Sequence, residues 1–109
     1  MAIVQYNKLV RDRIPEIIEA DGKTAVVDVL SDDSFLQKLN EKLKEELREY
    51  EESGSLDELA DLQEVILAIA AVKGVSPDEL DQLRQEKAIK RGAFEKKLML
   101  VAIVEDEPS

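Results

Sequence analysis

Residues 34–74 read SFLQKLNEKLKEELREYEESGSLDELADLQEVILAIAAVKG, and this stretch decides the fold. Leu36, Leu39, Leu43, Leu47 and Tyr50 recur at spacings of three and four, which predicts an amphipathic helix over about 34–52. Ser53-Gly54 breaks it. Ser55-Leu56-Asp57-Glu58 has the S-x-x-E form of a capping box and predicts a second helix running to about Lys73. So short a connection leaves the two helices little choice but to lie antiparallel. The uninterrupted apolar run over 65–72 predicts that the later half of the second helix is buried on every side.

Working outward, Ile14-Pro15 opens a short helical pattern that Asp21-Gly22 closes, proline being tolerated where a helix's first N–H groups have no partner. Residues 24–30 are rich in β-branched side chains and read as a strand. Ser31, Asp32 and Asp33 then offer caps for the long helix. Beyond Gly74, Ser76-Pro77-Asp78-Glu79 repeats the capping logic for a helix to about Arg91, with Gly92 as its stop. Residues 98–104 are β-prone and could pair with 24–30. The expected fold is therefore mainly α: an antiparallel helical bundle with a small two-stranded β ribbon. One domain would span 1–104, followed by a disordered acidic tail over 105–109.

Composition narrows the chemistry. At 109 residues the chain is long enough for one hydrophobic core and too short for two. Cysteine and histidine are absent, which removes disulfides, thiolate or imidazole zinc sites, and every triad that needs a histidine base. Any catalysis must run on oxygen ligands, amines and guanidinium groups. A formal charge of −10 argues against tracking a phosphate backbone, so no nucleic acid partner is expected. No apolar run approaches the roughly 20 residues that span a bilayer, and no leader pattern opens the chain. The expected location is the cytoplasm, with no membrane partner.

Between Glu41 and Glu64 stand ten acids against three bases, so seven of the ten net negative charges sit in one hairpin. Most such runs are solvated helix surface. Geometry separates them. At roughly 100° per residue, Glu46 lies about 60° from the apolar centre at Leu43, Glu49 about 120°, and Glu45 nearly opposite, facing water. On the second helix Glu58 and Asp61 straddle the line that continues through Val65 and Val72. Burying unpaired carboxylates is costly, and two facing i, i+3 acidic pairs add repulsion. A divalent cation such as Mg²⁺, which takes oxygen ligands, would relieve both. Glu58 also fits the reciprocal half of a capping box around Ser55, an account that does not extend to Glu46 or Glu49.

Glu45-Glu46-Leu47-Arg48-Glu49 reads EExxE and Glu58-Leu59-Ala60-Asp61 reads ExxD. With the opening Tyr6-Asn7-Lys8-Leu9-Val10-Arg11-Asp12-Arg13-Ile14-Pro15 and the late Lys87-Ala88-Ile89-Lys90-Arg91-Gly92-Ala93-Phe94-Glu95, the order of segments resembles the MazG-like, all-α nucleoside triphosphate pyrophosphohydrolases. The opening and late segments resemble those of the small single-domain phosphoribosyl-ATP-pyrophosphatase-like members. The resemblance implies Mg²⁺, with Mn²⁺ as a substitute, held by Glu46, Glu49, Glu58 and Asp61. It also implies hydrolysis of a nucleoside triphosphate or related nucleotide to the monophosphate and pyrophosphate. Glu49 or Glu45 would accept the proton from water. The eight residues between Glu49 and Glu58 are fewer than in many members and carry no insertion to shape a base pocket.

An anionic substrate needs cations beside the acids. Lys87 and Arg91, i and i+4 on one helix face, are the first candidates for phosphate contacts, and Lys8, Arg11 and Arg13 the next. Two other readings stand alongside: a phosphoribosyl-ATP pyrophosphatase of histidine biosynthesis, and a helical interaction or regulatory module without turnover. Because the second helix is apolar all round and few helices exist to cover it, a homodimer or higher homo-oligomer is expected.

Overall fold

The computed structural model describes residues 2–108 and contains four helices: α1, Ile14–Ala20; α2, Asp32–Ser53; α3, Leu56–Val72; and α4, Pro77–Arg91. The chain divides into two compact units, Met1–Pro77 and Asp78–Ser109. No helix among the described residues is long and apolar enough to cross a membrane.

In the first unit, α2 and α3 are the helices that pack on one another. Their boundaries follow local chemistry. Ser31 caps α2 by accepting from the Ser34 amide at 3.3 Å, and Asp32 and Asp33 place negative charge at the positive end of the helix dipole. The chain leaves α2 through Gly54, whose φ of 65° lies in the left-handed region that glycine enters without steric cost, and whose amide donates to the Tyr50 carbonyl at 2.7 Å. Ser55 then caps α3 through the Glu58 amide at 3.4 Å. This two-residue connection turns α3 back along α2. At its far end Gly74 and Val75 donate to Ala71 and Ala70, the paired bonds of a Schellman motif, which ends α3 where the apolar run stops.

Burial in this hairpin is thinner than the sequence suggests. Leu39, Val65 and Ala70 are buried, but Ile66 is 43% exposed and Leu47 47% exposed. The expectation that residues 65–72 are buried on every side is not met. Its physical reason is coverage: within the first unit α2 supplies one packed neighbour, which shields one face of α3.

The expected β ribbon is also absent. Among the described residues there is no strand, and both 24–30 and 98–104 run without ladder hydrogen bonds. Val26 is 95% and Val29 99% exposed, so neither segment finds an apolar layer to lie on. Two β-prone segments without such a layer gain too little to hold a ribbon together.

The second unit holds α4 from Asp78 onward. Asp78 and Glu79 occupy its first turn, Lys90 and Arg91 its last, the arrangement that complements the helix dipole, and Gly92 closes it by donating to Ala88 at 2.8 Å. None of its residues is buried.

Candidate metal centre

Glu46 is only 6% exposed, the one charged residue among the described residues to be buried so deeply. Its place on α2 beside the Leu39–Leu43 stripe turns it toward α3, where Glu58 and Asp61 occupy successive turns. These three side chains each bring an oxygen within 4.8 Å of the other two. Glu58 and Asp61 are half-buried. A carboxylate trio so close together is electrostatically unfavourable unless protons or cations intervene.

Compensation within the protein is incomplete. Lys42, one turn before Glu46 on α2, reaches its Oε1 at 3.5 Å. Arg11 Nη2 meets Asp61 Oδ1 at 2.6 Å. The second oxygens of Glu46 and Glu58, both Oε2, are buried and have no hydrogen-bond partner among the described residues. Burial, then the hydrogen bond and charge of Glu49, push the Glu46 carboxyl above its ordinary range. Burial, followed by the charges of Glu49 and Asp61, does the same to Glu58. Both groups therefore hold protons more readily than a solvated glutamate, or would welcome a cation in the proton's place.

Glu58 also settles its own local role. A reciprocal capping box needs the Glu58 carboxylate to take the Ser55 amide, yet that amide donates to Ser53 Oγ at 3.2 Å. Only half of the box forms, and the Glu58 side chain is left for the acid cluster.

The sequence-derived residues distribute as follows. Glu46, Glu58 and Asp61 converge, and Glu49, half-buried, stands beside them and interacts with both glutamates without joining the tight trio. Glu45 does not face water freely: it is half-buried and pairs with Lys8 at 3.1 Å, and the Lys8 hydrogen bond holds its carboxyl below the usual range. Lys8 and Arg11 thus both reach the acidic face, whereas Arg13 turns to Glu16 at 3.5 Å. Lys87 and Arg91 belong to α4 in the second unit, where Arg91 lines an open concavity of about 620 Å³ together with Lys96 and Lys97. Lys42 is the participant that sequence reasoning overlooked. Its signal was present, an i, i+4 spacing to Glu46 on a helix already identified.

The orphaned oxygens are the observation that tests whether these residues suit a metal ion. A hard divalent cation binds carboxylate oxygens, and an acidic trio with two unsatisfied buried oxygens offers that donor set. No family model matches this chain, and no solved structure matches it. A protein of Mycolicibacterium smegmatis, described only as uncharacterized, is 48% identical over 50 residues, covering 46% of this chain and 51% of that protein. The chain thus matches about half the length of this curated relative, whose own description assigns no activity.

Proposed function

We propose that this protein is a nucleotide pyrophosphohydrolase of the MazG-like kind, which uses a divalent cation to hydrolyse a nucleoside triphosphate or related nucleotide to the monophosphate and pyrophosphate. The observation that carries the reading is the pair of buried, partnerless oxygens on Glu46 and Glu58 beside Asp61. Glu46, Glu58 and Asp61 would hold Mg²⁺, or Mn²⁺ in its place, with Glu49 as the neighbouring acidic group. The bound ion would supply charge neutralisation for phosphate oxygens and a more acidic water.

What the chain's own residues do follows from their surroundings. A general base must take a proton near neutral pH, and a carboxyl held low by a lysine is a poor one. Glu45, tied to Lys8, is therefore the weaker choice. Glu49, which stands beside the trio, is the other candidate acceptor. Lys8 and Arg11 already lie against the acidic face and are the nearest cations for phosphate oxygens. Self-association belongs to the same reading: Leu59 and Ile66, seven residues apart on one line of α3, remain 41% and 43% exposed and would be covered in a homodimer or larger homo-oligomer.

Pyrophosphate release measured over a panel of nucleotides, with Mg²⁺ and with chelator, tests the reading. Metal-dependent release from at least one triphosphate is expected. Release from phosphoribosyl-ATP alone would narrow the substrate to histidine biosynthesis, and no release from any nucleotide would sink the enzyme reading in favour of a non-catalytic helical module.

A further inference from the structure

Asp61 serves two partners. It completes the acid trio, and through Oδ1 it holds Arg11 Nη2 at 2.6 Å. A divalent cation among Glu46, Glu58 and Asp61 would put positive charge where Arg11 now supplies it. The two cations would repel, and Asp61 would satisfy one at the other's expense.

Arg11 is equipped to move. Its side chain is 58% exposed, and this contact engages one nitrogen of a guanidinium that can donate five hydrogen bonds. The backbone around it is held nearby. Lys8, three residues earlier, pairs with Glu45 outside the trio, and the Arg11 carbonyl accepts from the first amide of α1 at 3.0 Å. A released Arg11 side chain thus stays beside the acid cluster. Its planar fork suits phosphate oxygens, which accept two parallel bonds from it.

We infer that Arg11 is an exchangeable counter-ion, neutralising Asp61 in the metal-free protein and passing to a substrate phosphate when a divalent cation takes its place. The inference rests on the metal-site reading above. A cation arriving already bound to a polyphosphate satisfies both exchanged partners at once: Asp61 receives the metal and Arg11 the phosphate. A bare cation leaves Arg11 displaced with nothing to hold. The site consequently discriminates in favour of cation–polyphosphate complexes over free cations, through a contact made 50 residues away from Asp61 in sequence.

The test uses the full chain and two probes, Mn²⁺ alone and Mn²⁺ with inorganic pyrophosphate, read by titration calorimetry and by the electron paramagnetic resonance signal of free Mn²⁺. Arg11→Gln should bind Mn²⁺ alone about two- to fivefold more tightly than wild type, the range expected for removing a solvent-accessible competing ion pair. Its affinity for pyrophosphate in the presence of Mn²⁺ should fall about tenfold, the loss expected for a charge-assisted contact. Arg84→Gln, which removes an equal charge from α4, should change neither. Unchanged or weaker Mn²⁺ binding by Arg11→Gln, or unchanged pyrophosphate affinity, overturns the exchange while leaving the metal site standing. No Mn²⁺ binding by wild type or variant, with or without pyrophosphate, overturns the site itself.

Discussion

Asp81 on α4 and the pair Glu46 and Glu58 on the α2–α3 hairpin are chemically alike and behave in opposite ways. On α4, Asp81 accepts from Arg84 Nε at 2.8 Å and from Gln85 Nε2 at 2.7 Å, all within one turn, and those bonds hold its carboxyl below the ordinary range. On the hairpin, Glu46 and Glu58 are pushed above that range, each with an oxygen that no group among the described residues satisfies. Asp81 needs no further partner. Glu46 and Glu58 do, and the difference comes first from burial and then from the charges of the neighbouring acids rather than from residue type.

The largest expected effect separates these regions by activity. Asp61→Asn and Glu46→Gln should each lower metal-dependent pyrophosphate release by about 100-fold or more, since even residues that merely support a metal ligand are worth about 10–100-fold. Asp81→Asn should leave release unchanged. Helix content by circular dichroism should survive in all three variants. Equal loss in Asp61→Asn and Asp81→Asn would erase the distinction between site and surface.

Next in size is stabilisation by metal. At a Mg²⁺ concentration about 100-fold above its dissociation constant, the folded chain should gain about 2.7 kcal/mol over the same chain in chelator. Thermal unfolding by circular dichroism reads this as a raised midpoint. Glu46→Gln should abolish the gain and Asp81→Asn should preserve it. A wild-type midpoint identical in Mg²⁺ and chelator would remove the physical reason for the trio.

The parts of this picture that were legible in the sequence are those set by neighbours along the chain. Helix α2 announced itself through the Leu36-to-Tyr50 spacing and Ser31, and Glu46 was distinguishable from Glu45 because one residue rotates a helix by roughly 100°. The parts that were not legible depend on what lies across space. Lys8 reaches Glu45 over 37 residues, and Arg11 reaches Asp61 over 50, with no local pattern to mark either contact. Residues 24–30 and 98–104 failed as strands for a related reason: β-branched composition describes a willingness to pair, while a ladder needs a partner and a layer to cover. Ile66 likewise sits in an apolar run whose burial depends on how many neighbours α3 finds.

Acidity gives the comparison a sharper form. Glu46 and Glu58 have folded pKa values raised above the ordinary 4.5, so between that value and the raised ones the folded chain binds more protons than the unfolded chain. In chelator, stability should therefore fall as pH rises through this window and recover on acidification. Glu45 and Asp81, with lowered values, contribute stability that is present above their unfolded pKa values and lost as pH falls through the folded ones. The unfolding midpoint in chelator should accordingly pass through a maximum on the acidic side. Saturating Mg²⁺ should reverse the slope at higher pH, because protons and the cation compete for the same carboxylates. A chelator curve that rises with pH across the window would contradict the burial of Glu46.

The smallest expected effect is the cleanest control on that pH argument. The Asp81 side chain is 51% exposed, and its bonds to Arg84 and Gln85 lie on the surface of one helix, where an ion pair is screened and must hold long side chains still. Asp81→Asn should shift the unfolding midpoint at neutral pH by no more than about a degree or two, while removing part of the stability lost at the acid end. The higher-pH limb, set by Glu46 and Glu58, should not move. Glu46→Gln should do the converse, flattening the higher-pH limb in chelator and leaving the lower-pH limb in place. If instead each substitution altered both limbs, the two sets of acids would be titrating as one, and local burial could no longer explain why carboxylates of the same kind respond to pH in opposite directions.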